Sequence, residues 1–317
     1  MKYLWLLIAL AAGLACPAQD SLPDIQPYLP ERVGAFPQVR DLAISPAGNE
    51  CFFTVQSHMG DLSALVFLRK EKKKWSEPVI ASFSGQYMDL EPFFTADGLQ
   101  LWFASNRPRN GDTAPAPDFD LWYVTRESPS APWSAPVHPG APVNSSHNEF
   151  FPSLTLQKHL YFTSDATEGS QGQDDIVVCK WENGAYLPPV SLRGGINSAG
   201  YEFNAWVAPD ESFLIFSAYN RPGAQGSGDL FISFREGEVW SPAQNLAFLN
   251  SPQMDYCPFV DLKNGMIYFT SKRNQTRTEV LHPRTLPELM QEFRRYDNGL
   301  SRLYQVHIEG FPQTLRP

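Results

Sequence analysis

The chain has 317 residues, a net charge of −9 and a sequence pI near 5.2. Phosphate binding draws its affinity from clustered Lys and Arg, and the only basic run, Arg69 to Lys74, is broken by Glu71, so a nucleic-acid groove is excluded. A chain this long ordinarily suggests two domains, but a fold assembled from like units reaches the same size as one domain, because each unit adds its own slice of core.

Taken in chain order, the first element is an export signal. Lys2 is basic, Leu4 to Leu14 is apolar, and Ala15, Cys16 and Ala18 are small, which predicts cleavage after Ala18. Gly13-Leu14-Ala15-Cys16 also resembles a bacterial lipobox, which would put a lipid on Cys16. The apolar run is too short to span a bilayer comfortably, and no later segment is apolar enough for a transmembrane helix. Location is therefore expected outside the cytoplasm: periplasmic, outer-membrane-associated or secreted. Cys51, Cys179 and Cys257 then remain, an odd number set in apolar strands of three different repeats, and they are expected to be buried thiols.

Next come five copies of a repeat of about fifty residues. An aromatic residue followed by a Pro-containing extended segment recurs at Trp75, Trp133, Tyr186 and Trp240. An acid entering an apolar strand recurs at Asp41, Glu91, Glu149, Glu202 and Asp255. Behind each acid lie a short strand, a polar turn such as Ser45-Pro46-Ala47-Gly48 or Thr95-Ala96-Asp97-Gly98, and an aromatic-rich second strand. A third strand follows, and the aromatic-Pro segment supplies a fourth, where Pro is tolerable because the strand is an edge. The last repeat lacks its fourth strand, while Tyr28-Leu29-Pro30-Glu31-Arg32-Val33 carries the same aromatic, Pro and Val order. Residues 27–36 are thus predicted to pair as the outer strand of the last blade, closing the ring and removing its open ends.

The predicted fold class is all-β: a five-bladed β-propeller of four-stranded blades, closed by an N-terminal strand. Its blades run over about 38–85, 86–146, 147–199, 200–252 and 253–317 plus 27–36, preceded by a signal peptide at 1–18.

The order of acid, strand, turn, aromatic strand ending in Asn-Arg-Pro, Asp-opened strand and Trp-Ser-x-Pro resembles the TolB-type, WD-like bacterial propeller repeat. Asn106-Arg107-Pro108 and Asn220-Arg221-Pro222-Gly223 carry the resemblance most specifically, with Asp120, Asp175 and Asp229 opening third strands. It covers about residues 38 to 311. TolB-like proteins resemble six blades plus another domain, whereas this chain shows five repeats and no extra domain.

Because the five acids begin innermost strands, they are expected to ring the mouth of the axial channel, with Arg107, Arg221 and Arg273 in second-to-third links on the same face. One consequence is structural, each carboxylate bonding an Arg, Ser or backbone N–H and fixing the angle between blades. Another is a ligand-binding face, to which Tyr87, Tyr201 and His147 would add side chains. A third is a hard cation such as Ca²⁺ held by Glu91, Glu149, Glu202 and Asp255. The repeat is broken by an insertion over Gln275 to Leu300, where Thr285-Leu286-Pro287-Glu288 reads as a capping box and Leu286, Leu289, Met290 and Phe293 share one helical face. That helix is expected to lie across the acid face as a lid or docking element.

No Ser-His-Asp arrangement, zinc-binding His pair, phosphate-cradling Gly loop or dinucleotide fingerprint occurs in the sequence. The reading is a monomeric, non-catalytic binding propeller of the cell envelope that recognises a protein or glycan through the acid face. The alternatives are a glycan-cleaving enzyme with axial carboxylates, by analogy with five-bladed glycosidases, and a scaffold module. An enzyme would need two inward carboxylates about 5–9.5 Å apart across an open cleft.

Overall fold

A computed structural model describes residues 23–109, 115–165 and 169–312; the leader, its cleavage site and Cys16 lie outside the described residues. Five antiparallel sheets stand around an axis. Their innermost strands are Gln38–Ile44, Asp89–Phe94, Glu149–Leu154, Tyr201–Val207 and Asp255–Asp261. Second strands, Glu50–Gln56, Gln100–Ser105, Leu160–Ser164, Phe213–Tyr219 and Met266–Ser271, are buried on both faces over most of their length. Third strands follow at Ser63–Glu71, Asp120–Thr125, Asp175–Cys179, Asp229–Glu236 and Arg302–His307.

Burial on both faces follows from the architecture. Alternate side chains of a strand point to opposite sides, and in a propeller both sides meet a neighbouring blade. Five apolar clusters result, one for each blade junction. Phe52, Leu65, Phe94 and Phe103 join blades 1 and 2, and Trp102, Leu121, Leu160 and Phe162 join 2 and 3. Phe213, Leu230, Ile267 and Phe269 join 4 and 5. Cys51 and Cys179 sit in two of these junctions, Cys257 sits at the axis, and all three are free thiols.

The fourth strands differ from the expectation in register. Trp75 and Trp240 pair in small hairpins that extend the third strand, and the ladder resumes only after the proline, at Val79–Ile80 and Gln244–Asn245. Proline lacks an N–H, so it sits just ahead of the ladder rather than in it. Blade 2 keeps a single bridge, Tyr123 to Val137.

Ring closure comes from the N-terminal segment, but over a shorter stretch than residues 27–36. Gln26–Pro27 pairs antiparallel with Gln305 and Tyr304, and the Tyr28 N–H donates to the Leu303 carbonyl at 2.9 Å. Leu29 then turns into the left-handed region, φ 47°, and Pro30–Val33 forms one helical turn with proline at its start. Proline's fixed φ suits that first position, so the Pro read as an edge-strand residue begins a helix. The helical turn drives Val33 into the junction between blades 5 and 1, beside Val39, Phe53 and Leu303. Among the described residues, no helix is long and apolar enough to cross a membrane.

Tyr28 is buried and meets Tyr268 edge-on at 4.9 Å between ring centroids. Truncation should remove a buried aromatic and leave a cavity in the closing junction. Tyr28→Ala is expected to lower unfolding free energy by about 3 kcal/mol, with an unchanged dependence on denaturant, in urea titrations.

Candidate functional site

The five acids read from the sequence do not form one ring. Each innermost strand carries a bulge at its third or fourth residue, where the register against the second strand shifts. The residue at the bulge takes a left-handed conformation in every blade: Asp41, φ 59°; Glu91, 60°; Phe151, 50°; Asn204, 53°; Cys257, 51°. A bulge re-aims a side chain, and here it sets these five residues around the axis. Glu149, Glu202 and Asp255 lie two residues earlier, level with Asp89 rather than Glu91. Two tiers therefore exist where the sequence suggested one.

The outer tier, at the mouth, is Asp89, Glu149, Glu202 and Asp255, all buried. Each binds the segment that leads into its own strand. Asp255 accepts from the Ser251 N–H and hydroxyl, both at 2.6 Å, and from Arg273 at 3.4 Å. Glu202 accepts from the Ser198 N–H at 2.7 Å, its hydroxyl at 2.5 Å and Arg221 at 3.2 Å. Asp89 accepts from Ser84 at 2.6 Å, Ser105 at 2.7 Å and Arg107 at 2.7 Å. Each arginine also lies over two rings, one from its second strand and one from its third: Phe103 and Trp122, Phe216 and Phe231, Phe269 and Tyr304. The arginine thus clamps the 2–3 link of each of these blades onto its own core.

One signal in the sequence separates the tiers. Asn144-Ser145, Asn197-Ser198 and Asn250-Ser251 stand four residues before Glu149, Glu202 and Asp255, measured from the serine. The asparagine side chains pair with both backbone groups of Leu121, Ile176 and Leu230, and the serines cap the acids. This Asn-Ser spacing aligns three acids with each other and sets Asp41 and Glu91 apart.

Blade 3 breaks the outer tier. The sequence has Ala166 where the others have Arg107, Arg221 and Arg273. Glu149 keeps its bond from Ser145 at 2.6 Å, while its Oε2 is buried without a hydrogen-bond partner. Burial, opposed by the Ser145 bonds and assisted by Asp120 and Asp118, pushes its carboxyl up to about 7.

The inner tier closes the axis. Arg40 donates from Nε to Asp41 and from Nη2 to Glu91, both at 2.7 Å, and lies 5.1 Å from the Tyr256 ring centroid. Glu91 also accepts from Asn204 at 3.1 Å and from the Phe151 N–H at 2.7 Å. The Cys257 thiol donates to Asn204 at 3.3 Å. Neighbouring blades support the bulges from behind: Thr54, Thr163 and Thr270 hydroxyls accept the N–H groups of Glu91, Asn204 and Asp41. Burial raises the Glu91 carboxyl to about 7, against the pull of Arg40 and with the push of Asp41.

Ligand atoms of Asp41, Glu91 and Cys257 fall within 4.8 Å of one another, so the carboxylates that converge are not the four expected to hold Ca²⁺. Glu91 spends both oxygens on Arg40, Asn204 and Phe151, and only Asp41 Oδ2 is buried without a bond. Ca²⁺ takes six to eight oxygens, and one free carboxylate oxygen beside a thiol and a guanidinium does not fit it. The cation of this cluster is Arg40. Nor do Asp41 and Glu91, both buried and less than 5 Å apart, face each other across an open cleft.

The remaining expected residues stay on the surface. His147 is exposed, its Nδ1 3.8 Å from Asp165; Tyr87 is half-buried and accepts from Gln86 at 3.1 Å. Tyr201 is 36% exposed and lies 5.8 Å from the Tyr219 ring, which is also exposed. The insertion does form the capping box and helix Leu286–Phe293, but none of its residues is buried. Its described hydrogen bonds and ion pairs stay within the insertion, from Glu292 to Arg277 and Arg295 and from Glu288 to Thr285 and His282. These contacts tie the helix to its own insertion, and none of them reaches an acid of the mouth.

No protein-family model and no curated protein matches the chain. Similar solved structures include TolB from Acinetobacter baumannii, at 13% identity and TM-score 0.48, covering 84% of this chain and 54% of that one. A glycoside hydrolase aligns at 8% identity and TM-score 0.53, over 85% of this chain and 86% of that one. An α-L-arabinofuranosidase from Podospora anserina aligns at 14% identity and TM-score 0.45, over 90% and 94%. The chain spans about half the length of the TolB structure, and at these identities the likeness is one of fold.

Two measurements check the tiers. A carboxyl raised in the folded state binds its proton there before the unfolded chain does, so its contribution to stability falls as pH rises from about 4.5 to about 7. Glu149→Gln should therefore match the wild type at pH 4.5 and exceed it by about 1–3 kcal/mol at pH 8 in urea titrations. Arg40→Met strands two buried carboxylates, and a loss of about 3–5 kcal/mol at pH 8, smaller at pH 5, is expected in the same assay.

Proposed function

We propose that this protein is a non-catalytic binding propeller that recognises a partner through the face at which its innermost strands begin. One observation carries the reading: Asp41 and Glu91 are held by Arg40, Asn204 and the Phe151 N–H, so that the protein's own side chains crowd the axis. A hydrolase needs an acid and a base in unlike environments with a substrate between them, and a sealed cluster leaves no such space. What this face does offer is apolar and aromatic surface around its rim. Tyr201 and Tyr219 are exposed in blade 4, and Met59 and Leu62 are exposed in the link between the second and third strands of blade 1. Aromatic and methionine side chains are enriched where proteins meet proteins, and charged residues are depleted there. An exported envelope protein binding another envelope component through this rim is consistent with the apolar leader of the sequence.

A photo-crosslinking amino acid at Tyr201 should give a discrete adduct in an envelope extract of the source cells, and the same probe at Val239, exposed on the opposite face, should not. Tyr219→Glu should abolish the adduct. Identical adducts from both positions would overturn the reading. So would release of reducing ends from polysaccharide that Glu91→Gln, checked for folding by circular dichroism, abolishes.

A further inference from the structure

We infer that the cleft between blades 2 and 3, on the face opposite the carboxylate mouth, is a binding site for a neutral oligosaccharide. It encloses about 640 Å³ between the first-to-second-strand turns of the two blades and the outer part of their sheets. Pockets that hold small ligands have volumes of this order, apolar and aromatic walls, and a few polar groups that fix orientation.

The walls are aromatic by construction. In blade 3 the chain leaves the third strand and folds into a hairpin, Trp181–Glu182 against Ala185–Tyr186, that pairs only with itself. Its turn is Asn183-Gly184, both residues in the left-handed region at φ 52° and 87°, as a two-residue hairpin turn requires. The hairpin sets Trp181 against Tyr186 edge-to-face at 4.8 Å, and Tyr186 in turn meets Trp102 of blade 2 at 6.4 Å. Tyr123 lies 4.9 Å from Trp102 and completes the platform. Trp181, Tyr186 and Tyr123 are half-buried, so each keeps surface toward the cleft.

Polar groups frame these rings from both blades. Asp97, in the blade 2 turn, accepts the Thr95 hydroxyl at 2.6 Å and the Leu99 N–H at 2.9 Å, both through Oδ1, and these bonds hold its carboxyl below the usual range. Lys158, in the blade 3 turn, places its ammonium 5.6 Å from the Trp181 ring centroid. Gln100 accepts from the Trp102 indole through Oε1 at 2.7 Å, and no described hydrogen bond uses its Nε2. The remaining cation of the lining, Arg126, is committed to Glu50 at 2.8 Å and to the Gly98 and Pro129 carbonyls, both at 2.9 Å. The cleft therefore presents a carboxylate whose described bonds all use Oδ1 and an ammonium beside an indole, an acceptor and a donor of opposite charge.

That combination selects the ligand. Sugar hydroxyls both donate and accept, and the C–H face of a pyranose lies flat on an aromatic ring. An anionic glycan would gain from Lys158 and lose to Asp97. An extended peptide would need a free strand edge, and the third strand of blade 2 offers none along the cleft: Tyr123 exchanges both backbone bonds with Val137, and Thr125 accepts the Ser134 N–H and donates its own N–H to the Ser134 hydroxyl. Side chains, and not backbone, are what this cleft has to offer.

The test uses hexasaccharides of β-1,4-glucose, β-1,4-xylose, β-1,4-mannose and α-1,4-glucose, titrated into the full chain by calorimetry and followed by tryptophan emission. At least one should bind and shift the emission. Trp181→Ala should weaken it about tenfold or more, the loss of one stacking platform. Asp97→Asn, an exposed isosteric change, and Lys158→Met should each weaken it about threefold or more. Tyr201→Ala, on the other face, should leave Kd within about twofold, which separates this cleft from the rim proposed above. Binding of none of the four hexasaccharides overturns the inference. Binding that Trp181→Ala leaves unchanged, or that Tyr201→Ala reduces as much, also overturns it; should Trp181→Ala not fold, Asp97→Asn decides.

Discussion

Five strands brought side by side around an axis leave a narrow channel that has to be filled or wetted, and this molecule fills it by reversing one residue in each innermost strand. Non-glycine residues in the left-handed region cost free energy, of order 1 kcal/mol each. Asn204 bears that conformation more easily than a branched or aromatic residue, and the Thr hydroxyls behind Asp41, Glu91 and Asn204 accept the N–H groups that the bulges release from the ladder. The repetition of the bulge makes the strain a property of the architecture. What varies is the side chain delivered: two acids, an amide, a thiol and a phenyl ring, held together by a single guanidinium.

The two tiers divide labour. At the mouth, Asp89, Glu202 and Asp255 each tie the segment arriving from the preceding blade to their own 2–3 link through serine and arginine, and Glu149 holds that segment through serine alone. Around the axis, Glu91 touches residues of three other blades through Arg40, Phe151 and Asn204. Such a network holds the relative angles of blades that apolar junctions alone would allow to slide, since hydrophobic contact is without direction.

Much of this was legible beforehand. Aromatic second strands, Asp-opened third strands and the Asn-Arg pairs repeat at a period that leaves little choice of fold, and burial on both faces explains why those strands read as nearly continuous apolar runs. The site was harder to read, because a two-residue offset is invisible when Asp and Glu occur at both levels: Asp89 and Glu91 flank the very position that decides the alignment. The Asn-Ser pairs mark the outer level for Glu149, Glu202 and Asp255, but no such pair precedes Asp89, and there only the bulge, a backbone event with no residue preference beyond a tolerance for Asn, distinguishes the two acids. The closing segment misled for a related reason. Pro30 fits an edge strand and a helix start equally well, and what settles it is Val33, which reaches the blade 5–1 junction only if the chain coils.

Closure by the N-terminal segment also governs the order in which the ring can be completed. Gln26 pairs with Gln305, so the closing strand finds its partner only after every blade between them has been made. Contacts of such sequence separation are slow to form, because a long loop must close before they return anything. Until that moment the final third strand, Arg302–His307, is paired only with Met266–Ser271 and leaves its outer edge open. A nascent molecule thus passes through a stage in which it is a complete propeller in every blade but one, and most open there to joining the wrong neighbour.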